Sequence, residues 1–62
     1  MRKYRMTLLS HNYDEVYSLV GTVDELVAET YISRDILKNA AKFKIWYLST
    51  DGSFIEMRLL PK

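Results

Sequence analysis

The chain has 62 residues, of which 48% are hydrophobic and 27% are charged, and its formal net charge is +1. This composition is typical of a folded chain, and the length allows a single domain spanning residues 1–62. The absence of cysteine excludes disulfides, thiolate nucleophiles and the usual zinc sites, and no apolar run is long enough to cross a membrane. We therefore expect a small cytoplasmic domain without a membrane segment.

The charges are segregated along the chain. Residues 1–5 carry three positive charges and no negative one, whereas residues 11–30 carry five negative charges and neither lysine nor arginine. Residues 34–44 are basic again, with one acidic residue, Asp35, among four cations. This distribution predicts a surface with one basic side.

Two stretches rich in strand-forming residues open the chain, Tyr4–Ser10 and Glu15–Val20, with the polar segment 11–14 between them. Short polar segments between such stretches are typical of β-hairpins. A four-residue loop predicts the following cross-strand pairs: Met6 with Leu19, and Leu8 with Tyr17.

A first helix is predicted to begin after Gly21. Thr22 and Glu25 have the spacing of a capping box, in which the threonine hydroxyl accepts from the amide of the glutamate and the carboxylate reaches back. The residues that follow at helical spacing form an inward-facing side: Val23, Leu26, Val27 and Thr30.

A second helix is predicted to begin soon afterwards. Ser33 is a favourable N-cap residue, and Ile32 immediately before it can pack onto the helix as a hydrophobic staple. An apolar stripe then follows at helical spacing, formed by Ile36, Leu37, Ala40 and Ala41.

The last third of the sequence predicts a second hairpin. The strands Phe43–Thr50 and Ser53–Leu60 flank Asp51-Gly52, a dipeptide typical of a two-residue hairpin turn. That turn would pair Leu48 with Ile55 and Trp46 with Met57. The opposite side of this hairpin is then also apolar, with Phe43, Ile45, Tyr47, Phe54 and Leu60.

Two short helices can cover only one side of the second hairpin. Either the first hairpin packs across the other side, or Phe43, Ile45, Tyr47, Phe54 and Leu60 form an interface, because a monomer seldom exposes so large an apolar patch. The partner at such an interface would be a second copy of the chain or a host protein.

These elements predict an α+β fold in the order ββααββ, with two short helices in a helix-turn-helix-like arrangement between two hairpins. Residues 22–42 resemble the winged helix-turn-helix family, because Leu26, Ile32, Leu37 and Ala40 stand where that motif needs apolar residues and Ser33 stands where its recognition helix begins. The whole chain is also similar in outline to the very small DNA-binding proteins of phages and mobile elements. Tyr31 occupies the turn position that is usually glycine, and a left-handed backbone there would cost about 1–2 kcal/mol.

The resemblance implies that the second helix contacts double-stranded DNA in the major groove. Residues near the start of such a helix reach base edges, whereas other polar residues contact phosphates. The implied DNA-binding residues are Ser33, Arg34, Asp35, Lys38, Asn39, Lys42 and Lys44, and the basic residues Arg2, Lys3 and Arg5 could extend the contact as an arm. The alternative interpretation is an ordinary solvated helix face, and Asp35 favours it because a carboxylate repels phosphate.

Two functions from different classes remain open at this point. The first is a sequence-specific DNA-binding protein that regulates transcription, of the kind that phages encode. The second is a small interaction protein that inhibits or recruits a host protein through the apolar hairpin side and the acidic segment 14–29. His11 lies near Asp14, but the sequence supplies no nucleophile or second base to join them, so we expect neither an enzyme nor a bound metal or cofactor.

Overall fold

The structure, a computed structural model, describes residues 2–48 and 52–61. It is an α+β fold whose elements follow the predicted order ββααββ, which confirms the predicted fold class. The elements are β1 (Tyr4–Leu9), β2 (Glu15–Gly21), α1 (Val23–Thr30), α2 (Arg34–Phe43), β3 (Ile45–Tyr47) and β4 (Phe54–Leu59).

The strands form one antiparallel sheet of four strands in the order β2-β1-β4-β3. The two hairpins meet through β1 and β4, where Met6 lies opposite Met57. The first hairpin therefore extends the sheet, and the alternative in which it packs across the apolar side of the second hairpin is wrong. Side-by-side pairing satisfies the backbone groups of both central strands, which packing face to face would leave at open edges.

Both helices lie on one face of this sheet. The buried core contains two residues of β4 and one of β1 together with three helical residues: Met6, Leu26, Leu37, Ala40, Ile55 and Met57. Since side chains alternate along a strand, the neighbours Arg5, Thr7, Phe54 and Arg58 project from the other face. We call that second face the open face, because no helix among residues 2–48 and 52–61 covers it.

The first hairpin has the register predicted from the sequence. Met6 lies opposite Leu19 and Leu8 opposite Tyr17, and the register shifts between Leu8 and Leu9. In the turn, the Ser10 amide donates to the carbonyl oxygen of Asp14 over 2.9 Å. The residues at the two ends of the turn are therefore hydrogen-bonded to each other, so the turn is stabilised by contacts between residues close together in the sequence.

The first helix begins with the predicted capping box. The Glu25 amide donates to the Thr22 hydroxyl over 3.2 Å, and the Thr22 amide donates to the Glu25 carboxylate over 2.9 Å. The helix ends at Tyr31, whose φ of 59° and ψ of 14° are left-handed. The Tyr31 amide donates to the carbonyl of Val27, so the turn that usually contains glycine forms here with tyrosine.

The second helix begins after Ser33, at the predicted N-cap position, although the Ser33 hydroxyl makes no capping hydrogen bond. Its predicted apolar stripe faces the core, with Leu37 and Ala40 buried and Ile36 and Ala41 packed against them. The preceding turn is stabilised instead by Thr30, whose hydroxyl donates to the carbonyl of Leu26 and accepts from the amide of Ile32.

The second hairpin differs from the prediction at its start. Phe43 is the last residue of α2 rather than the first of a strand, because the helix continues until Lys44 takes a left-handed conformation with φ of 72°. The strand that follows is only Ile45–Tyr47. Thr50 and Asp51, where the prediction placed the strand end and part of the turn, lie outside the described residues.

The register of this hairpin is also two residues from the predicted one. Trp46 lies opposite Ile55 rather than Met57, and the Leu48 amide donates to the carbonyl of Ser53, so the predicted pairing of Leu48 with Ile55 is wrong. Leu48 thus pairs with Ser53, two residues before its predicted partner. A shift of two residues leaves each side chain on its predicted face, because the side-chain period of a strand is two.

Candidate functional site

The exposed side of α2 carries a ridge of cations. Arg34, Lys38 and Lys42 are four residues apart and therefore follow one another at successive turns. All three are exposed, while Leu37 and Ala40 on the other side of the helix are buried. Apolar and charged residues thus lie on opposite sides of α2, and the charged side faces solvent. We call this row of three cations the α2 ridge.

The N-terminal segment adds a cation to the beginning of the α2 ridge. Arg2, Arg34 and Lys38 line one depression of about 440 Å³, together with Tyr4, Thr22, Val23 and Asp24. We call this depression the basic groove. It brings together three cations from two distant parts of the chain against one carboxylate, so its net charge is positive and it can accept an anion.

Asp24 and Arg34 form an ion pair at the edge of the basic groove. The Nη2 and Nε atoms of Arg34 donate to the same carboxylate oxygen, Oδ1 of Asp24, over 2.7 Å and 3.1 Å. Both side chains remain more than half exposed, Arg34 at 53% and Asp24 at 65%. The first residue of α2 is therefore oriented by a residue in the first turn of α1.

The other predicted DNA-binding residues fall into two groups. Ser33 and Asp35 are exposed at the beginning of α2, and Asn39 is half-buried one turn after Asp35, so these residues adjoin the α2 ridge. Lys44 does not join them. It follows the end of α2 and lines a separate depression with Glu56 and Arg58, while its carbonyl accepts from the amide of Met57.

The five residues of the predicted apolar interface do not all lie on one face of the sheet. Ile45, Tyr47 and Phe54 share the open face, as their pairing with β4 requires. Phe43 does not, because it belongs to α2, where its ring stacks on Trp46 at 5.8 Å. Leu60 follows β4, is half-buried, and its amide donates to the carbonyl of Lys3.

The open face has an aromatic cluster at one end. Phe54 is only 5% exposed because the ring of Tyr13 lies 5.6 Å from it in an edge-on arrangement and Tyr47 lies 5.7 Å away. Tyr13 and Tyr47 themselves are 75% and 67% exposed. The cluster therefore presents two tyrosine rings to solvent above a buried phenylalanine.

The capping box beside the basic groove holds one carboxylate in its charged form. The hydrogen bond from the backbone amide of Thr22, followed by the bond with its hydroxyl, lowers the pKa of Glu25 below its ordinary value. Lys3 lowers the pKa further, and partial desolvation opposes the shift. Glu25 thus remains an anion that stabilises the N-terminus of α1.

Metal binding has no candidate cluster within the described part of the chain. His11 and Asp14 both lie exposed in the turn of the first hairpin. Residues 2–48 and 52–61 contain no group of three or more His, Asp or Glu side chains suited to a metal ion. In the same residues, neither helix is long and apolar enough to cross a membrane.

Two features of these surfaces escape prediction from the sequence. The sequence places Asp24 in the first helical turn but not against Arg34, because that partner is ten residues away and only the packing of α1 on α2 brings them together. It places Tyr13 in a polar turn but not against Phe54, although an aromatic residue in such a turn is itself an indication that its ring covers another side chain.

No protein-family description, curated protein or solved structure matches this chain.

Proposed function

We propose that this protein binds double-stranded DNA in a sequence-specific manner and regulates transcription, with α2 lying in the major groove. The observation that carries the proposal is the convergence of Arg2 with Arg34 and Lys38 in the basic groove, at the beginning of the cationic α2 ridge. If the charged side of α2 were only an ordinary solvated surface, there would be no reason for Arg2 to lie beside Arg34 and Lys38. The protein acts by binding rather than catalysis, and a cytoplasmic location belongs to the same proposal.

The charge and dimensions of α2 suit a DNA duplex. An α-helix with its side chains is about 10–12 Å in diameter and the major groove of B-DNA is about 12 Å wide, so α2 can lie along the groove. In this position Lys38 and Lys42 contact phosphates along the groove wall, whereas Arg34, at the beginning of the helix, reaches base edges. Arg2 contacts a phosphate beside Arg34.

Fluorescence anisotropy with a mixed-sequence duplex, measured from low to physiological salt, tests the proposal. The wild-type affinity should fall linearly with salt on logarithmic axes. The double variant Lys38→Gln/Lys42→Gln should bind more weakly and show a shallower slope, by about 0.9 for each phosphate that is no longer neutralised.

A matched control distinguishes the effect of the position of the two lysines from the effect of the total charge of the protein. Arg5→Gln/Arg58→Gln removes the same two charges from the open face, on the other side of the sheet from the helices. Arg5 projects there and does not line the basic groove with Arg2, so it does not belong to the arm that the sequence predicted. It should keep most of the wild-type affinity. An equal weakening in both double variants would argue against placing α2 on the DNA, and an absence of wild-type binding even at low salt would overturn the proposal.

The second candidate function is that of a small protein-interaction module. The exposure of four apolar side chains on or beside the open face favours it, namely Tyr13, Val20, Ile45 and Tyr47. An apolar surface of this kind is typical of a protein interface. In this function the open face binds either a second copy of the chain or another protein that it inhibits or recruits.

Sedimentation equilibrium tests the homodimer form of this second function. A concentration-dependent dimer that Tyr47→Ser dissociates would support it. Tyr31→Ser is the control, because Tyr31 is 91% exposed and follows α1, on the side of the sheet opposite the open face. A monomer at high micromolar concentration that binds duplex DNA with the expected salt dependence would favour the first function.

A further inference from the structure

The ion pair between Asp24 and Arg34 leaves one end of the guanidinium available. The Nε–H and one Nη2–H of Arg34 point to Oδ1 of Asp24. Arginine has five N–H donors in a rigid plane. The two donors at the outer end, one on Nη1 and one on Nη2, are parallel and have the spacing that a bidentate acceptor requires.

Guanine presents an acceptor pair of this kind in the major groove. Its O6 and N7 atoms accept two parallel hydrogen bonds from an arginine, which is the commonest specific contact between proteins and DNA. An unsupported arginine loses the freedom of several rotatable bonds when it makes such a contact. An arginine whose plane is already held by a carboxylate loses less, so the contact is stronger and more selective.

The contribution of Asp24 to folding stability is too small to explain its position beside Arg34. An ion pair between side chains that are 53% and 65% exposed contributes little to folding. A carboxylate in the basic groove also weakens general attraction to phosphate. Specificity gained through Arg34 would offset that weakening.

We propose that Asp24 is a positioning residue that presents the outer end of Arg34 to a guanine edge in the major groove. This inference rests on the proposed DNA-binding function. Asp24 acts through Arg34, which donates two hydrogen bonds to its Oδ1 atom. The guanine lies opposite the first residue of α2, and its recognition depends on both side chains together.

The experiment begins with selection of preferred sites from a random-sequence duplex library by the wild-type protein. Affinity is then measured for the selected site and for sites in which each guanine is replaced in turn by adenine. At one guanine the wild type should discriminate by about 5- to 150-fold. Arg34→Lys, which keeps the charge but lacks the fork, should lose this discrimination.

Asp24→Ala should lose most of the same discrimination while binding mixed-sequence DNA more tightly than the wild type, because a negative charge has been removed. The control Glu29→Ala removes a negative charge from the same helix at a residue that does not line the basic groove. It should also bind mixed-sequence DNA more tightly, yet keep the discrimination. Circular dichroism verifies that each variant is folded.

An NMR readout follows the arginine directly, without DNA. The Nε–H resonance of Arg34 should be shifted and slow to exchange in the wild type and in Glu29→Ala, and should lose both properties in Asp24→Ala. Unchanged discrimination in Asp24→Ala, with the salt dependence of the Lys38→Gln/Lys42→Gln variant as expected, would overturn the positioning role and leave the DNA-binding proposal intact. An absence of all DNA binding by the wild type would overturn both.

Discussion

Gly52 lies directly against His11, so that a β-carbon added to Gly52 would stand 2.8 Å from the β-carbon of His11. This contact joins the second hairpin to the turn of the first hairpin. Gly52 also has a φ of 91°, which side chains of L-residues rarely accommodate. Glycine is therefore required here for two independent reasons, backbone conformation and space.

Gly52→Ala should lower the free energy of unfolding by about 2 kcal/mol, through left-handed strain together with the contact to His11. Urea denaturation followed by circular dichroism measures the change. Adding His11→Gly to this variant should recover only part of the stability, because it removes the close contact but not the backbone strain. An unchanged midpoint in Gly52→Ala would contradict this description of the turn.

Tyr31→Gly should stabilise the protein. Tyr31 has a left-handed backbone and is 91% exposed, so glycine removes strain while sacrificing almost no packing. We expect a gain of about 1 kcal/mol, after allowing for the greater freedom of glycine in the unfolded chain. The comparison is Tyr13→Gly, which has a similar φ of 66° but loses the ring that covers Phe54. A decrease in stability in Tyr31→Gly would show that its ring makes a contact of its own.

Removing the capping carboxylate should make stability less sensitive to acid. The folded-state pKa of Glu25 is lowered, chiefly by the backbone bond with Thr22, so its contribution is present above the ordinary carboxyl pKa of the unfolded chain. That contribution disappears as the pH falls through the lower folded-state pKa. The melting temperatures of wild type and Glu25→Gln should therefore differ at neutral pH and converge in acid. A constant difference across this range would contradict the linkage.

Ser18→Ala should be neutral or stabilising. The Ser18 hydroxyl oxygen is buried and has no hydrogen-bond partner among the described residues. A buried polar group without a partner costs about 1–3 kcal/mol, and replacing it with a methyl group removes that cost. Chemical denaturation should show a gain of up to about 1 kcal/mol, with Thr7→Ala, the neighbour across the strand pair, as comparison. Marked destabilisation would mean that the hydroxyl has a partner in solution.

Features that depend on nearby residues could be predicted from the chain alone. The order of elements, the register of the first hairpin and the capping box of Thr22 and Glu25 all follow from side-chain periodicity, turn length and cap chemistry over a few residues.

The arrangement of these helices and strands relative to one another depends instead on long-range packing. Pairing of β1 with β4 made one sheet with an open face, and β3 pairs with β4 two residues from the register that local turn signals favoured. The contacts of Asp24 with Arg34 and of Tyr13 with Phe54 join residues far apart in the chain. Such contacts arise when whole elements pack against one another, which residue spacing within a single element does not encode.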